Sequence, residues 1–134
     1  MTRQSICGKS EAQNRVRTAR MYLDVASVAG TEEKVEARGV AAGNAVLAAI
    51  AAADSICCAR LGKRHRGQDH SGAIGLLKTV QPEGAALARD LQVALSVKDP
   101  AHYGETFLAE NKLKITMRAA SRLVHAAEVI VPRA

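Results

Sequence analysis

Aromatic residues are almost missing from this sequence: they make up 2 % of its 134 residues, and tryptophan does not occur. Strands of sandwiches and barrels favour aromatic and β-branched side chains, so this scarcity argues against an all-β fold. Charged residues make up 24 % and apolar residues 48 %, a balance that excludes wholesale disorder. This length suits one domain, so we expect residues 1–134 to form a single unit with a flexible tail at 1–9.

Cysteine is also scarce, and its three positions, Cys7, Cys57 and Cys58, do not resemble a disulfide framework. Neighbouring cysteines bridge poorly, because a disulfide normally needs a wider separation of the two Cα atoms. No apolar run opens the chain, so no signal peptide is visible. Together these absences predict a reducing, cytoplasmic location.

The most apolar stretch of the chain, residues 40–59, is long enough to cross a membrane. It consists mainly of alanine, and Asn44 and Asp54 lie inside it. An acidic side chain at a bilayer centre costs about 3 kcal/mol, which alanine does little to offset. We therefore expect a buried helix and no membrane partner.

Alanine is the abundant residue, with 26 copies. It has the best helix propensity and lets helices approach closely. Apolar residues at helical spacing predict four main helices and one short helix. These span residues 10–29, 31–61, 71–80, 82–97 and 106–131, with a basic loop at 63–70. Short connections favour an all-α fold, an antiparallel up-down four-helix bundle with an extra short helix.

Three of these helix ends carry recognisable capping signals. Ser10 and Gln13 have the spacing of a capping box, and Gly30 is expected to end the first helix. Either Asp69 or Ser71 is expected to cap the short helix.

A net charge of +6 accompanies one dense basic cluster. Its members are Arg60, Lys63, Arg64, His65 and Arg66. Guanidinium groups make paired hydrogen bonds to phosphate oxygens, so the cluster is a candidate phosphate-binding surface. No aromatic residue lies nearby to stack on bases, and a solvated basic turn is the alternative interpretation.

Metal binding is weakly indicated. Cys57, Cys58, His65 and His70 are all zinc-ligand types, but their spacing is wrong for known zinc fingers. The two thiols also point about 100° apart on a helix, which makes one shared metal difficult. We predict neither a metal nor a cofactor.

Three ordered segments resemble the HEPN superfamily of helical bundles. The first is the alanine-rich helix at 51–61, which ends in a polar loop, and the second is Asp69-His-Ser-Gly72, which begins a short apolar helix. The third, Lys98-Asp-Pro-Ala-His-Tyr103-Gly104, is similar to the Arg-x-x-Ala-Asp-Tyr-Gly stretch before the family's last helix. Lys98 and His102 replace the family's arginine and aspartate. The resemblance covers about three quarters of the chain.

This resemblance implies a homodimer that binds RNA or another nucleic acid, or a nucleotide. Similar proteins often work in toxin–antitoxin or defence systems beside a nucleotidyltransferase, so a cognate nucleotidyltransferase or antitoxin is an implied partner. The residues expected at the nucleic-acid or phosphate site are Arg64, His65, Arg66, His70, Lys98, His102 and Tyr103.

Two further functions stay open. HEPN ribonucleases carry an Arg-x(4–6)-His motif, and both Arg118–His125 and Arg60–His65 satisfy its spacing. A histidine base and an arginine that stabilises the phosphorane charge are the groups that RNA cleavage without metal needs. The first alternative is therefore a metal-independent endoribonuclease. The second is a non-enzymatic protein-interaction bundle, which a large exposed apolar patch would favour.

Overall fold

A computed structural model describes residues 3–67, 69–97 and 107–133, which form five helices and a two-stranded sheet. The prediction of a mainly helical fold is confirmed, and the small sheet is an addition to it. The helices are α1 (Lys9–Ala29), α2 (Glu36–Leu61), α3 (His70–Lys78), α4 (Gly84–Leu95) and α5 (Glu110–Ile130). The strands are β1 (Arg3–Ile6) and β2 (Lys63–Arg66).

The two strands form an antiparallel ribbon where the sequence predicted a flexible tail and a basic loop. Arg3 lies opposite Arg66, and Ile6 lies opposite Lys63. Both predictions are wrong for residues 3–6 and 63–66, because each segment satisfies its backbone groups through the other. Neither segment alternates apolar and polar residues, so its own pattern gave no sign of a strand.

Helix α2 forms the centre of the fold and packs against the four other helices. Of its 26 residues, 15 are buried, most of them alanine. In the described part of the chain it is the one helix long and apolar enough to cross a membrane, and 78 % of that apolar window is buried inside the fold. Its apolar character is therefore used in the protein core.

The caps of α1 differ in detail from the predicted ones. The Gly8 N–H donates to Glu11 Oε2 at 3.0 Å, so the helix begins one residue early and Glu11 takes the place predicted for Gln13. Gly30 is the C-cap, as predicted. The Thr31 hydroxyl donates back to the Val28 carbonyl at 2.7 Å, which explains why α2 begins later than Thr31.

The short helix α3 begins with Asp69 as its N-cap, one of the two predicted caps. Its carboxylate accepts from the Ser71 N–H at 3.1 Å and from the Ser71 hydroxyl at 2.7 Å. These hydrogen bonds lower the pKa of Asp69. Helix α4 then begins at Gly84, where an added Cβ would lie 2.9 Å from the Leu77 carbonyl oxygen. Glycine is thus required where α4 turns back onto α3.

Cys7 and Cys58 form a disulfide, with Cα atoms 5.3 Å apart. The prediction of unbridged cysteines is wrong, because adjacency excludes only the pairing of Cys57 with Cys58. The ribbon brings Cys7 to the end of α2, where the Cys7 N–H donates to the Gly62 carbonyl at 3.0 Å. Disulfides persist mainly in oxidising compartments, so the cysteines no longer support a reducing location.

Candidate functional site

Two arginines lie side by side at the far end of the ribbon, which is the end farthest along the strands from Cys7. Residues opposite each other in an antiparallel pair project from the same face, so Arg3 and Arg66 share a face, as do Ser5 and Arg64. Cβ atoms of such pairs are about 4.5–5.5 Å apart, and like charges placed this way destabilise a sheet. Arg66 donates to the Ser5 hydroxyl at 3.4 Å. No carboxylate in the described part of the chain lies within 4.0 Å of the Arg3 or Arg66 guanidinium.

Arg64, next along the ribbon, has a partner inside the protein. Its Nη1 lies 3.2 Å from Asp54 Oδ2, and Arg15 Nη2 from α1 lies 3.2 Å from the same oxygen. Burial raises the pKa of Asp54, while the two arginines oppose that rise. Asp54 therefore joins α1, α2 and the ribbon through one carboxylate. Arg64, predicted to bind phosphate, is held in this internal contact.

His65 projects from the other face of the ribbon, together with Gln4 and Lys63. Both of its ring nitrogens are buried and lack a hydrogen-bond partner in the described part of the chain. An unsatisfied buried polar group costs about 1–3 kcal/mol, so such groups often mark a site for water or a ligand. Gly67 follows with φ +118°, a conformation that favours glycine and turns the chain close to the imidazole.

A polar groove of about 870 Å³ separates the ribbon from α3. Arg60 and Lys63 supply its positive charge. The Arg60 guanidinium already has partners within the protein, since its Nη1 donates to the Gln81 carbonyl at 2.8 Å and lies 3.1 Å from Glu83 Oε1. Lys63 is exposed and has no ion pair within the described ranges. The groove thus extends the positive surface of the ribbon toward α3.

The other residues predicted at the phosphate site do not belong to the ribbon. His70 is the first residue of α3. Lys98, His102 and Tyr103 lie outside the described residues.

The two members of each candidate catalytic pair lie in different surroundings within one chain. Arg118 and His125 are both exposed on α5, but seven helical residues separate them by about 10 Å along the axis. Arg118 lines a groove with Ser27 and Thr31, whereas His125 lines a different groove between α1 and the end of α5. Arg60 lines the ribbon–α3 groove, while both ring nitrogens of His65 are shielded from solvent.

Within the described residues, no group of three or more His, Cys, Asp or Glu side chains is placed to hold a metal. Cys58 is in the disulfide, and Cys57 is buried. Burial raises the pKa of the Cys57 thiol to about 12, so the thiolate form that binds metals is disfavoured.

Sequence reasoning missed Arg3 as a site residue. It also missed the role of Asp54 as the anchor of the ribbon. No local pattern assigned Arg3 to a strand, because its partner lies 63 positions later. The acid inside an apolar helix is the signal that could have indicated a cationic partner, although it does not show which of the 12 arginines supplies it.

No model of a known protein family matches this sequence, and no curated protein matches it.

Proposed function

We propose that this protein is a HEPN-like helical module that binds nucleic acid through its phosphate groups, with the ribbon as the contact surface. The observation that carries the proposal is the placement of Arg3 opposite Arg66, where no carboxylate of the described residues lies within ion-pair distance of either guanidinium. Two adjacent guanidinium groups repel each other in the free protein. A phosphate between them relieves the repulsion and accepts charge-assisted hydrogen bonds from both.

The ribbon is held in place before any ligand arrives. The Cys7–Cys58 disulfide fixes one end to α2, and the contact between Arg64 and Asp54 holds its middle. Preorganised donors lose less entropy on binding than mobile ones. This rigidity supports a binding role for the exposed arginines at the far end.

Nucleic acid fits this surface better than a free nucleotide does. The cations that form no ion pair within residues 3–67, 69–97 and 107–133 lie on both faces of the ribbon, Arg3 and Arg66 on one and Lys63 on the other. A backbone with successive phosphates can reach several of them, whereas one nucleotide cannot. No aromatic residue belongs to the ribbon or α3, so we propose binding without sequence preference.

The binding test uses fluorescence anisotropy of a labelled 20-nucleotide RNA at several salt concentrations, with EDTA present. We expect the double variant Arg3→Gln/Arg66→Gln to bind at least tenfold more weakly at low salt. Each phosphate contact to a single strand contributes about −0.7 to the slope of log K against log salt. The slope should therefore become less steep by about 1.4 in the variant.

The matched control is Arg89→Gln/Lys112→Gln, which removes the same charge from exposed positions on α4 and α5. An equal loss of affinity in the control would mean that only net charge matters, and it would contradict the proposed surface. The integrity of the RNA is followed on a gel. Cleavage that His65→Ala or His125→Ala abolishes would select the ribonuclease function instead.

The proposed function goes together with a four-helix bundle. We propose that α1, α2, α4 and α5 form the four-helix bundle, with α3 as the extra short helix. The mutual packing of α1, α2 and α5, and of α4 with α5, supports this arrangement.

The proposal also includes partners: a second copy of the chain in a homodimer, and a nucleotidyltransferase or antitoxin. Light scattering after size-exclusion chromatography tests the dimer, and co-expression with genomic neighbours tests the partner.

A cytoplasmic location follows from the proposed ligand. It requires that the disulfide resists cellular reductants. Cys7 and Cys58 are 6 % and 3 % exposed, which shields the bond from attacking thiolates. Alkylation of thiols in intact cells tests this, since only Cys57 should be available after unfolding without reductant.

A further inference from the structure

A second groove, away from the ribbon, lies between α1, α5 and the residues that follow α5. It encloses about 730 Å³, within the range typical of small-molecule sites. Its floor is apolar, with Val16 and Met21 from α1 and Val129 from α5. Met21 is 64 % exposed and Val129 is 72 % exposed, so the floor is open to solvent.

Three arginines border this apolar floor, and among the described lining residues Glu128 is the one acid. Glu128 is already engaged, because Arg20 Nε and Nη2 donate to its two oxygens at 2.8 and 2.6 Å. Arg17 donates to the Asn14 side chain and has no carboxylate partner among the described residues, and the same holds for Arg133. Arg17 and Arg133 thus border an apolar surface without an ion pair in the described part of the chain, and the charge of Arg133 contributes to the lowered pKa of Glu128.

Arg17 and Arg133 lie near the same end of the groove. Gln13 Nε2 donates to the Pro132 carbonyl at 3.0 Å, which places Arg133 beside the first turns of α1. Arg17 is one helical turn beyond Gln13 on the same face. An anionic head group at this end is therefore within reach of both guanidinium groups.

An apolar track leads away from that end along α1. Met21, Val25 and Val28 follow Arg17 at helical spacing and are 64 %, 48 % and 70 % exposed. From Arg17 to Val28 the helix rises by about 16 Å, a length close to that of an extended chain of about 12 carbons. Exposed apolar side chains in one line are uncommon unless something covers them.

We propose that this groove binds an amphipathic carboxylate, a fatty acid of about 12 carbons. Its carboxylate contacts Arg17 and Arg133, and its chain lies over Met21 and then over Val25 and Val28. Guanidinium groups pair with carboxylates through two parallel hydrogen bonds, which favours this head group. A cationic amphiphile is repelled by the same arginines. A nucleic acid would contact the arginines but leave the apolar track uncovered, so it fits this groove less well than a fatty acid. The groove shares no residue with the ribbon, so the two sites are independent.

The experiment titrates ¹⁵N-labelled protein with dodecanoate below its micellar concentration, followed by NMR. We expect saturable shifts at Arg17, Met21 and Val25, and none on the ribbon. Dodecyltrimethylammonium, which has the same tail and the opposite charge, should bind at least tenfold more weakly. Equal binding of the two amphiphiles would overturn the proposal.

Variants separate the head-group contact from the tail contact. Arg17→Glu and Met21→Gln should each weaken dodecanoate binding at least fivefold, whereas the control Arg89→Glu should not change it. Equal weakening by the control would overturn the proposal. Circular dichroism confirms that each variant keeps its helix content.

Two other occupants are distinguished in the same series. Sedimentation with phosphatidylglycerol vesicles, without binding of free dodecanoate, would assign the groove to a membrane surface and overturn the proposal. Dimerisation of the ligand-free protein that Met21→Gln abolishes would assign it to a second copy, with the same consequence. Binding of free dodecanoate by protein whose oligomeric state Met21→Gln leaves unchanged supports the proposal.

Discussion

Removal of the disulfide tests the part of the fold that the sequence did not predict. The double variant Cys7→Ala/Cys58→Ala breaks the cross-link without placing hydroxyl groups in the small apolar cluster of Cys7, Ala12, Cys58 and Val131. The two cysteines are 51 positions apart. In the chain-entropy model, a loop of that length removes about 14 cal/mol/K from the unfolded state, or about 4 kcal/mol at 25 °C.

Urea denaturation at 25 °C, followed by circular dichroism, measures this loss. We expect the free energy of unfolding to fall by about 4 kcal/mol, a large part of the 5–15 kcal/mol typical of a domain. The m-value should rise, because an unfolded chain without the cross-link exposes more surface. Cys57→Ala is the matched control and keeps the bond.

Either of two results would refute this reasoning. One is a loss below about 1 kcal/mol, well under the range usual for native disulfides. The other is three reactive thiols in the wild-type protein after unfolding without reductant, since the bridged chain presents only Cys57.

Three further predictions concern the thiol, one ion pair and two glycines. Because burial raises the pKa of Cys57 to about 12, the folded protein at pH 8 should react with iodoacetamide far more slowly than the unfolded protein, as mass spectrometry can measure. The hydrogen bonds from Arg20 lower the pKa of Glu128, so the pair stabilises the fold above the usual glutamate pKa, and its contribution is lost as the pH falls through the lowered value. Glu128→Gln should lower the free energy of unfolding by about 0.5–1 kcal/mol at pH 7, allowing for solvent screening, and should equal wild type in acid. A difference in the free energy of unfolding that stays constant across pH in urea melts would contradict this. Gly84→Ala should destabilise the fold by about 1–3 kcal/mol, because its Cβ crowds the end of α3. Gly75→Ala should stabilise the fold by about 0.5–1 kcal/mol, because nothing lies within 4 Å of its added Cβ. A melting temperature of Gly84→Ala equal to or above that of Gly75→Ala would contradict both expectations.

The helices were predictable because their signals are local. Alanine content, apolar spacing and the Gly30 and Asp69 caps act within a few residues of the chain, and the structure has helices where they predict them. The ribbon and the disulfide depend on partners that are 51 to 63 positions apart. Short polar segments such as 3–6 and 63–66 carry no periodicity that would pair them. Their pairing is a property of the packed helices that bring them together.

The candidate site depends on one buried acid, whose place in an apolar helix is visible in the sequence although its role as the anchor of the ribbon is not. Asp54, within an otherwise apolar helix, needs a cation because an isolated buried charge is costly. Arg64 meets that need, together with Arg15, and its inward position sets the alternation of β2. Arg66 then projects from the same face at the far end of the ribbon, opposite Arg3. Asp54 therefore engages Arg15 and Arg64, whereas Arg3 and Arg66 have no carboxylate partner in the described part of the chain.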